Sequence, residues 1–295
     1  MPPSVPESHD ELVQHFGPEG LRRFERASLL GARLPDRARA FLEETGVPRA
    51  VASYFRAPGG QDPVALGVVA ARSSLPRPHR AVEGWPRIGG DGLAHLCVRP
   101  DGAVQAVFLG DVAEDMFVNS DVSKLSTALL ALDCALPLVA VASGLEEAAA
   151  VLRDLSAELQ RIDSVAFEGR ESWWPRILDD VRHTLNFPFS AAFEYVDAAG
   201  SKQVVTDVTG PGRAHPEEII WRGLSAQGLE PEQVLRVHCE LEPCLMPGHY
   251  CAVWMQETFP RAQFTHSFDY GSAAESREEG IRELIVHAAG KARRG

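Results

Sequence analysis

The chain has 295 residues, 45% of them apolar and 24% charged, and its 41 acids outnumber 29 bases for a net charge of −12. The apolar share excludes a disordered chain, the acidity argues against non-specific duplex binding by phosphate neutralisation, and the length points to two domains. No run approaches the ~20 apolar residues of a membrane span, and Met1–Glu7 lacks the basic and apolar parts of a secretory signal, so a cytoplasmic protein with no membrane partner is expected.

In the first half, Leu34-Pro35-Asp36 opens a helix through Phe41 and Leu42 that stops at Gly46 and Pro48. A strand over 50–55 and a Gly/Pro-rich loop from Ala57 to Pro63 follow. Two strand-like runs, 93–99 and 103–109, meet at Pro100-Asp101-Gly102, a hairpin signal. Asn119, Ser120 or Asp121 caps a helix through Leu125, Leu129, Leu130 and Leu132, and a second helix covers 145–159. His9, His15, His79 and His95 are isolated and read as surface or packing residues, and Cys97 and Cys134 as packing.

The ordered series Leu34-Pro35, Phe41-Leu42, Gly46-Val47-Pro48, Ile88-Gly89, Asp101-Gly102 and Phe117-Val118-Asn119-Ser120 resembles the SUKH superfamily of bacterial immunity proteins. The tract from Ile162-Asp163 to Trp173-Trp174 resembles the end of its actinobacterial branch. The resemblance covers roughly 10–181 and implies an α+β domain that binds a toxin without catalysis. Residues 1–181 carry 18 bases and 26 acids, a balance suited to a basic toxin partner. Trp174, Ile177, Leu178, Val181 and Leu185 then share one side of a helix over 173–185, and the domain boundary is expected near 182.

Beyond it the order becomes strand, strand, helix, strand, helix, strand, helix. Strands at 190–196 and 203–208 flank the turn Asp197–Gly200. Pro216 suits the first position of a helix that closes at Gly228, and Glu217 and Glu218 suit its positive end. The run 234–241 alternates as a strand with Leu235, Val237, Cys239 and Leu241 on one face. Cys251 starts an apolar helix, 262–270 is a strand, and Ser272 caps a last helix to Ala289. The tail Lys291, Arg293 and Arg294 reads as solvated terminal charge.

His215-Pro216-Glu217 at one helix start and Pro243-Cys244 with Cys251 at the next, across a strand, follow the ligand order of zinc-dependent deaminases. One imidazole and two thiolates hold tetrahedral zinc and leave a fourth position for water, whose pKa the metal lowers to about 7. A carboxylate beside it, Glu217, shuttles the proton. The cysteines are six residues apart rather than two, with Pro247-Gly248 free to bulge while the sulfurs converge.

His238-Cys239-Glu240 is a competing His-x-Glu, but five residues between His238 and Cys244 leave no room for the intervening helix and strand. Glu240 and Glu242 read as structural carboxylates or as outer hydrogen-bond acceptors, either being a candidate for the metal histidine, and His238 reads as structural or as part of that outer shell. A structural zinc stays open as an alternative, with Cys239 or His238 as fourth ligand. Phe264, His266, Phe268 and Tyr270 alternate on one strand face, so Phe268 and Tyr270 are candidates for stacking on a base. Walker, Rossmann and nucleophile-elbow patterns are absent.

His215-Pro216-Glu217, Glu240-Leu241-Glu242-Pro243-Cys244, Cys251 and Phe268-Asp269-Tyr270-Gly271 resemble the bacterial toxin-type branch of the cytidine deaminase-like superfamily over roughly 182–290. The resemblance implies a three-layer α/β/α fold, zinc at its centre and hydrolytic loss of ammonia from a base, without saying which base. The expected activity is deamination of cytosine or adenine, in a nucleotide or a single-stranded nucleic acid. The alternative is an immunity or interaction protein whose deaminase-like domain is an inactive zinc module.

Overall fold

The structure, a computed structural model, describes residues 6–292 except 61, 63, 111, 187, 211 and 212. The end of the Gly/Pro-rich loop at Pro63 and the tail residues Arg293 and Arg294 therefore lie outside the described residues, as does most of the opening stretch. The chain divides into two compact units, Met1–Pro137 with Val151–Leu178, and Leu138–Ala150 with Asp179–Gly295.

The first unit opens with α1 (Pro6–Phe16), β1 (Leu21–Arg22), α2 (Asp36–Glu44) and β2 (Val47–Pro48), with β1 and β2 paired antiparallel. Gly46 joins α2 to β2 at φ +81°, and a Cβ there would lie 2.1 Å from the Arg22 carbonyl oxygen, so only glycine lets these strands meet. Next come β3 (Ala50–Val51), β4 (Phe55–Arg56), α3 (Leu66–Arg72), β5 (Arg87–Gly90), β6 (His95–Val98), β7 (Val104–Val107) and β8 (Met116–Asn119). The six strands from β3 to β8 form one antiparallel meander in chain order. The single strand expected over 50–55 is two short ones, because the chain turns at Ala52 (φ 45°) and the Tyr54 N–H closes on the Val51 carbonyl. The β6–β7 hairpin turns at Gly102 (φ +95°), with the Asp101 carboxylate accepting from the Ala103 N–H.

Of the three cap candidates, Asp121 caps α4 (Val122–Val141), accepting from the Lys124 N–H at 2.9 Å. By length and composition α4 is long and apolar enough to cross a membrane, although no run of that kind was expected from the sequence. Its Leu125, Ala128, Leu129 and Leu132 are buried in the unit's core. Cys97 is buried as expected of packing, whereas Cys134 on α4 is exposed, 3.7 Å from His15 Nδ1. α5 (Leu145–Ile162) leads to Asp163 and then to α6 (Trp173–Asn186).

Asp163 explains why the scattered signature residues occur together. Its buried carboxylate accepts from the Ser120 N–H (2.6 Å), the Ser120 hydroxyl (3.0 Å), Asn119 Nδ2 (3.1 Å) and Lys124 Nζ (3.2 Å). Asn119 in turn accepts from the Trp174 indole N–H at 2.9 Å, and Trp173 donates to Asp91 at 2.8 Å. Both indoles are fully buried with their polar ends satisfied, as such rings require.

α6 continues into the second unit, followed by β9 (Ser190–Val196), β10 (Lys202–Val208), α7 (Pro216–Ala226), β11 (Val234–Leu241), α8 (Cys251–Thr258), β12 (Gln263–Phe268) and α9 (Ala274–Ala292). The sheet order is β10-β9-β11-β12, antiparallel except for the β11–β12 pair. That parallel step needs a crossover, which α8 supplies. Phe193, Val237, Cys239 and Leu241 face one core with Ile220 and Leu224 of α7, Met255 of α8, and Ile281 and Leu284 of α9. Mixed helices and sheets are thus present throughout. On the face where a further layer would lie, Val204 and Val208 are 66% and 47% exposed, and Arg236, Thr265 and Ser267 are exposed as well.

Candidate metal and active site

The site is built at two helix starts in the second unit. Pro216 fixes the first helical position of α7, leaving His215 at its N-cap with extended backbone, and the Glu218 carboxylate accepts from the His215 N–H at 2.9 Å. The six residues between Cys244 and Cys251 fold into a tight loop: the N–H groups of His249 and Tyr250 both close on the Met246 carbonyl, and Ala252 N–H reaches back to the Cys244 carbonyl. Gly248 (φ +82°) and Tyr250 (φ 44°) take left-handed backbone there, and for a non-glycine residue that costs about 1 kcal/mol or more.

The loop returns Cys251 to Cys244. His215 Nδ1 lies 3.5 Å from Cys244 Sγ and 3.4 Å from Cys251 Sγ, all three side chains being buried. A nitrogen and a sulfur on tetrahedral zinc, at bond lengths of about 2.0 and 2.3 Å, sit about 3.5 Å apart, so His215 Nδ1 is spaced from each sulfur as zinc requires. The donor set, one imidazole and two thiols, suits zinc in kind as well as in spacing.

Burial and mutual proximity shift all three groups from their ordinary pKa values. Burial raises the Cys244 thiol, but the Cys251 thiol and the His215 ring beside it win and hold its pKa well below the ordinary value. Burial, reinforced by Cys244, pushes the Cys251 thiol well up. Burial would depress His215, yet Cys244 and the Asp180 carboxylate raise it well above 6.5.

Glu217 projects from the first turn of α7 and is buried, and burial raises its carboxyl pKa. The Cys239 thiol bonds to this carboxylate, while Glu217 Oε2 has no hydrogen-bond partner among the described residues. An orphaned buried oxygen implies a missing polar group. A narrow cavity of about 10 Å³, room for one water, adjoins Glu217, His215 and Cys244. Its other walls include Phe189, Leu241, Glu242, Tyr270 and, from α6, Asp180 and His183.

The remaining candidates separate. Tyr270 lines the cavity, its hydroxyl 2.6 Å from His183 Nδ1, whereas Phe268 packs edge-on against His287. Glu242 accepts from the N–H groups of Tyr270 (2.9 Å) and Gly271 (2.8 Å). Glu240 accepts from the Ser190 N–H and hydroxyl, and His238 bonds to Thr265 and Ser267. Strand alternation sends His238 and Glu240 to the face opposite Cys239 and Leu241, so neither adjoins His215. Cys239 is engaged with Glu217 and stands outside the candidate ligand group.

Two residues with no signal in the sequence adjoin His215. Asp180 of α6 places Oδ1 3.2 Å from His215 Nε2 and Oδ2 3.4 Å from His249 Nε2. His249 lies in the inter-cysteine loop, stacks on His215 at 3.9 Å and bonds through Nδ1 to Glu218 at 2.7 Å. A His-x-Glu or Pro-Cys pattern carries no signal for either.

Residues 8–180 match the family model of the SUKH-4 immunity protein, and residues 188–287 match that of the Xanthomonas-like deaminase. No curated protein and no solved structure matches the chain. The first match spans more than half of the sequence, so the chain belongs to the SUKH-4 immunity protein family and carries a deaminase-like domain after it.

Proposed function

We propose that the second domain is a zinc-dependent hydrolytic deaminase acting on cytosine or adenine, in a nucleotide or a single-stranded nucleic acid, and that the first binds a basic toxin domain. The observation that carries the catalytic reading is the convergence of His215 Nδ1 with the thiols of Cys244 and Cys251 beside the unpartnered Oε2 of Glu217. His215, Cys244 and Cys251 would hold the metal. Zinc bound there supplies the Lewis acidity that makes water a nucleophile near neutral pH.

The chain's own residues do the rest. Glu217 accepts a proton from the attacking water through Oε2 and delivers it to the ring nitrogen, then carries the second to the departing amine, so that water and amine exchange for carbonyl and ammonia. Cys239 orients the Glu217 carboxylate, leaving Oε2 aimed at the reacting atoms. Leu241 and Phe189 keep bulk water from the cavity. A base is far larger than this 10 Å³ space, so the cavity must open to admit one.

The acidity of residues 1–181 supports a basic partner for the first domain. For the catalytic reading, Glu217→Gln tests the role directly in the full chain. Ammonia release from a panel of nucleosides, nucleotides, single-stranded DNA and RNA is expected to fall by at least a hundredfold while zinc content is unchanged. Undiminished release with zinc in place would remove Glu217 from the reaction.

A further inference from the structure

The carboxylate of Asp180 faces two imidazoles at once. Oδ1 is 3.2 Å from Nε2 of His215, and Oδ2 is 3.4 Å from Nε2 of His249, with Asp180 buried to 3% exposure. The two rings are parallel within 5° and 3.9 Å apart, so both present the same edge to one carboxylate. On the far side, Glu218 Oε2 holds His249 through Nδ1 and the His215 backbone N–H together. The His215 ring is therefore bounded by a stacked imidazole on its face, by Asp180 on its Nε2 edge and by two thiols on its Nδ1 edge. The Nε2–Oδ1 pair has the distance of a hydrogen bond without its angle, since His215 Nε2 makes no hydrogen bond among the described residues.

Resting on the zinc reading above, we propose that Asp180 is a positioning residue for the metal site. It sets the His215 ring, with His249 as backing, so that Nδ1 faces Cys244 and Cys251 and Nε2–H is given to the carboxylate when metal binds. A metal-bound histidine normally donates its other ring N–H to such an acceptor, which fixes its tautomer and strengthens it as a ligand. The other acids near the site are committed elsewhere: Glu218 to His249 and the His215 backbone, Glu242 to the Tyr270 corner, and Glu240 to Ser190. Asp180 sits on α6, outside the matched deaminase segment 188–287, so the working metal site begins before that segment does.

The test measures zinc affinity by chelator competition in the full chain. Asp180→Asn and Asp180→Ala are expected to weaken zinc binding 10- to 100-fold, while Glu217→Gln leaves it unchanged. Equal affinity in wild type and both Asp180 variants overturns the positioning role and leaves the zinc reading standing. A wild-type chain that takes up no zinc overturns both. Two zinc ions per wild-type chain, with Asp180→Asn losing only one, makes Asp180 a ligand of a second metal and overturns the proposal as well. Should the variants fail to fold, the cobalt-substituted wild type decides by proton NMR. A hyperfine-shifted ring N–H that exchanges slowly with solvent is expected, and a rapidly exchanging or missing one contradicts it.

Discussion

Glu242 holds the backbone of Tyr270: its Oε2 accepts the Tyr270 N–H at 2.9 Å and, from the same oxygen, the Gly271 N–H at 2.8 Å. One carboxylate at the end of β11 thus fixes the turn after β12 that places the Tyr270 ring over the cavity. Glu242→Ala is expected to destabilise the second unit by about 1–3 kcal/mol, with Glu242→Gln less harmful because it keeps an acceptor oxygen. Urea unfolding checks it. Equal stability of wild type and Glu242→Ala would mean that the corner holds without the carboxylate.

His183 gives the fold an acid-sensitive point. Burial, aided by Arg182, lowers its pKa to about 4, below the 6.5 of an exposed histidine. Between pH 6.5 and 4 the unfolded chain therefore binds more protons at this position than the folded one, and stability falls as pH falls. The contribution is fully present above pH 6.5 and lost through pH 4. Measured as the slope of unfolding free energy against pH in that window, it is expected to flatten in His183→Gln, whatever that variant's absolute stability. An unchanged slope contradicts a neutral buried His183.

Zinc uptake is expected to release protons at pH 7, because thiols and an imidazole must lose theirs to bind the metal. Burial and Cys244 raise the Cys251 thiol, Cys244 and Asp180 raise His215 against burial, and Cys251 and His215 hold Cys244 low. Titration calorimetry in two buffers of different ionisation enthalpy gives the number. A release near zero would place the metal elsewhere.

In the first unit, Asp163→Ala removes the acceptor shared by Ser120, Asn119 and Lys124 and leaves those donors facing a buried gap. A loss of about 3–5 kcal/mol is expected, the usual cost of breaking a buried charged network. Chemical denaturation followed by tryptophan fluorescence in a Trp221→Phe, Trp254→Phe background, whose remaining Trp85, Trp173 and Trp174 lie in this unit, reads it directly. A loss under about 1 kcal/mol would show that the network is peripheral to stability.

How far the sequence foretold this structure depended on whether a signal was local. His215, Glu217, Cys244 and Cys251 announce themselves at helix starts, and the six-residue cysteine spacing was readable as a bulge because Pro247-Gly248 turns the chain. The β6–β7 hairpin was likewise written in Asp101-Gly102. Asp180 was hidden because α6 reads as an apolar stripe of Trp174, Ile177, Val181 and Leu185, and nothing in that periodicity pairs its polar side with a histidine far downstream. His249 was hidden inside the bulge. Glu240 and His238 lie on the strand face opposite Val237, Cys239 and Leu241, where their partners are Ser190, Thr265 and Ser267, and strand alternation alone makes that placement readable. Asp163, Asn119 and Trp174 could be recognised as a recurring series, but only the fold shows them as one hydrogen-bonded network.

The most direct test of the account is the metal content of the full chain after purification and dialysis, measured by elemental analysis. One zinc per chain is expected in the wild type, and close to none in Cys244→Ser and Cys251→Ser under the same dialysis. A wild-type chain that carries no zinc and gains none on incubation, or cysteine variants that hold zinc as well as the wild type, would contradict it.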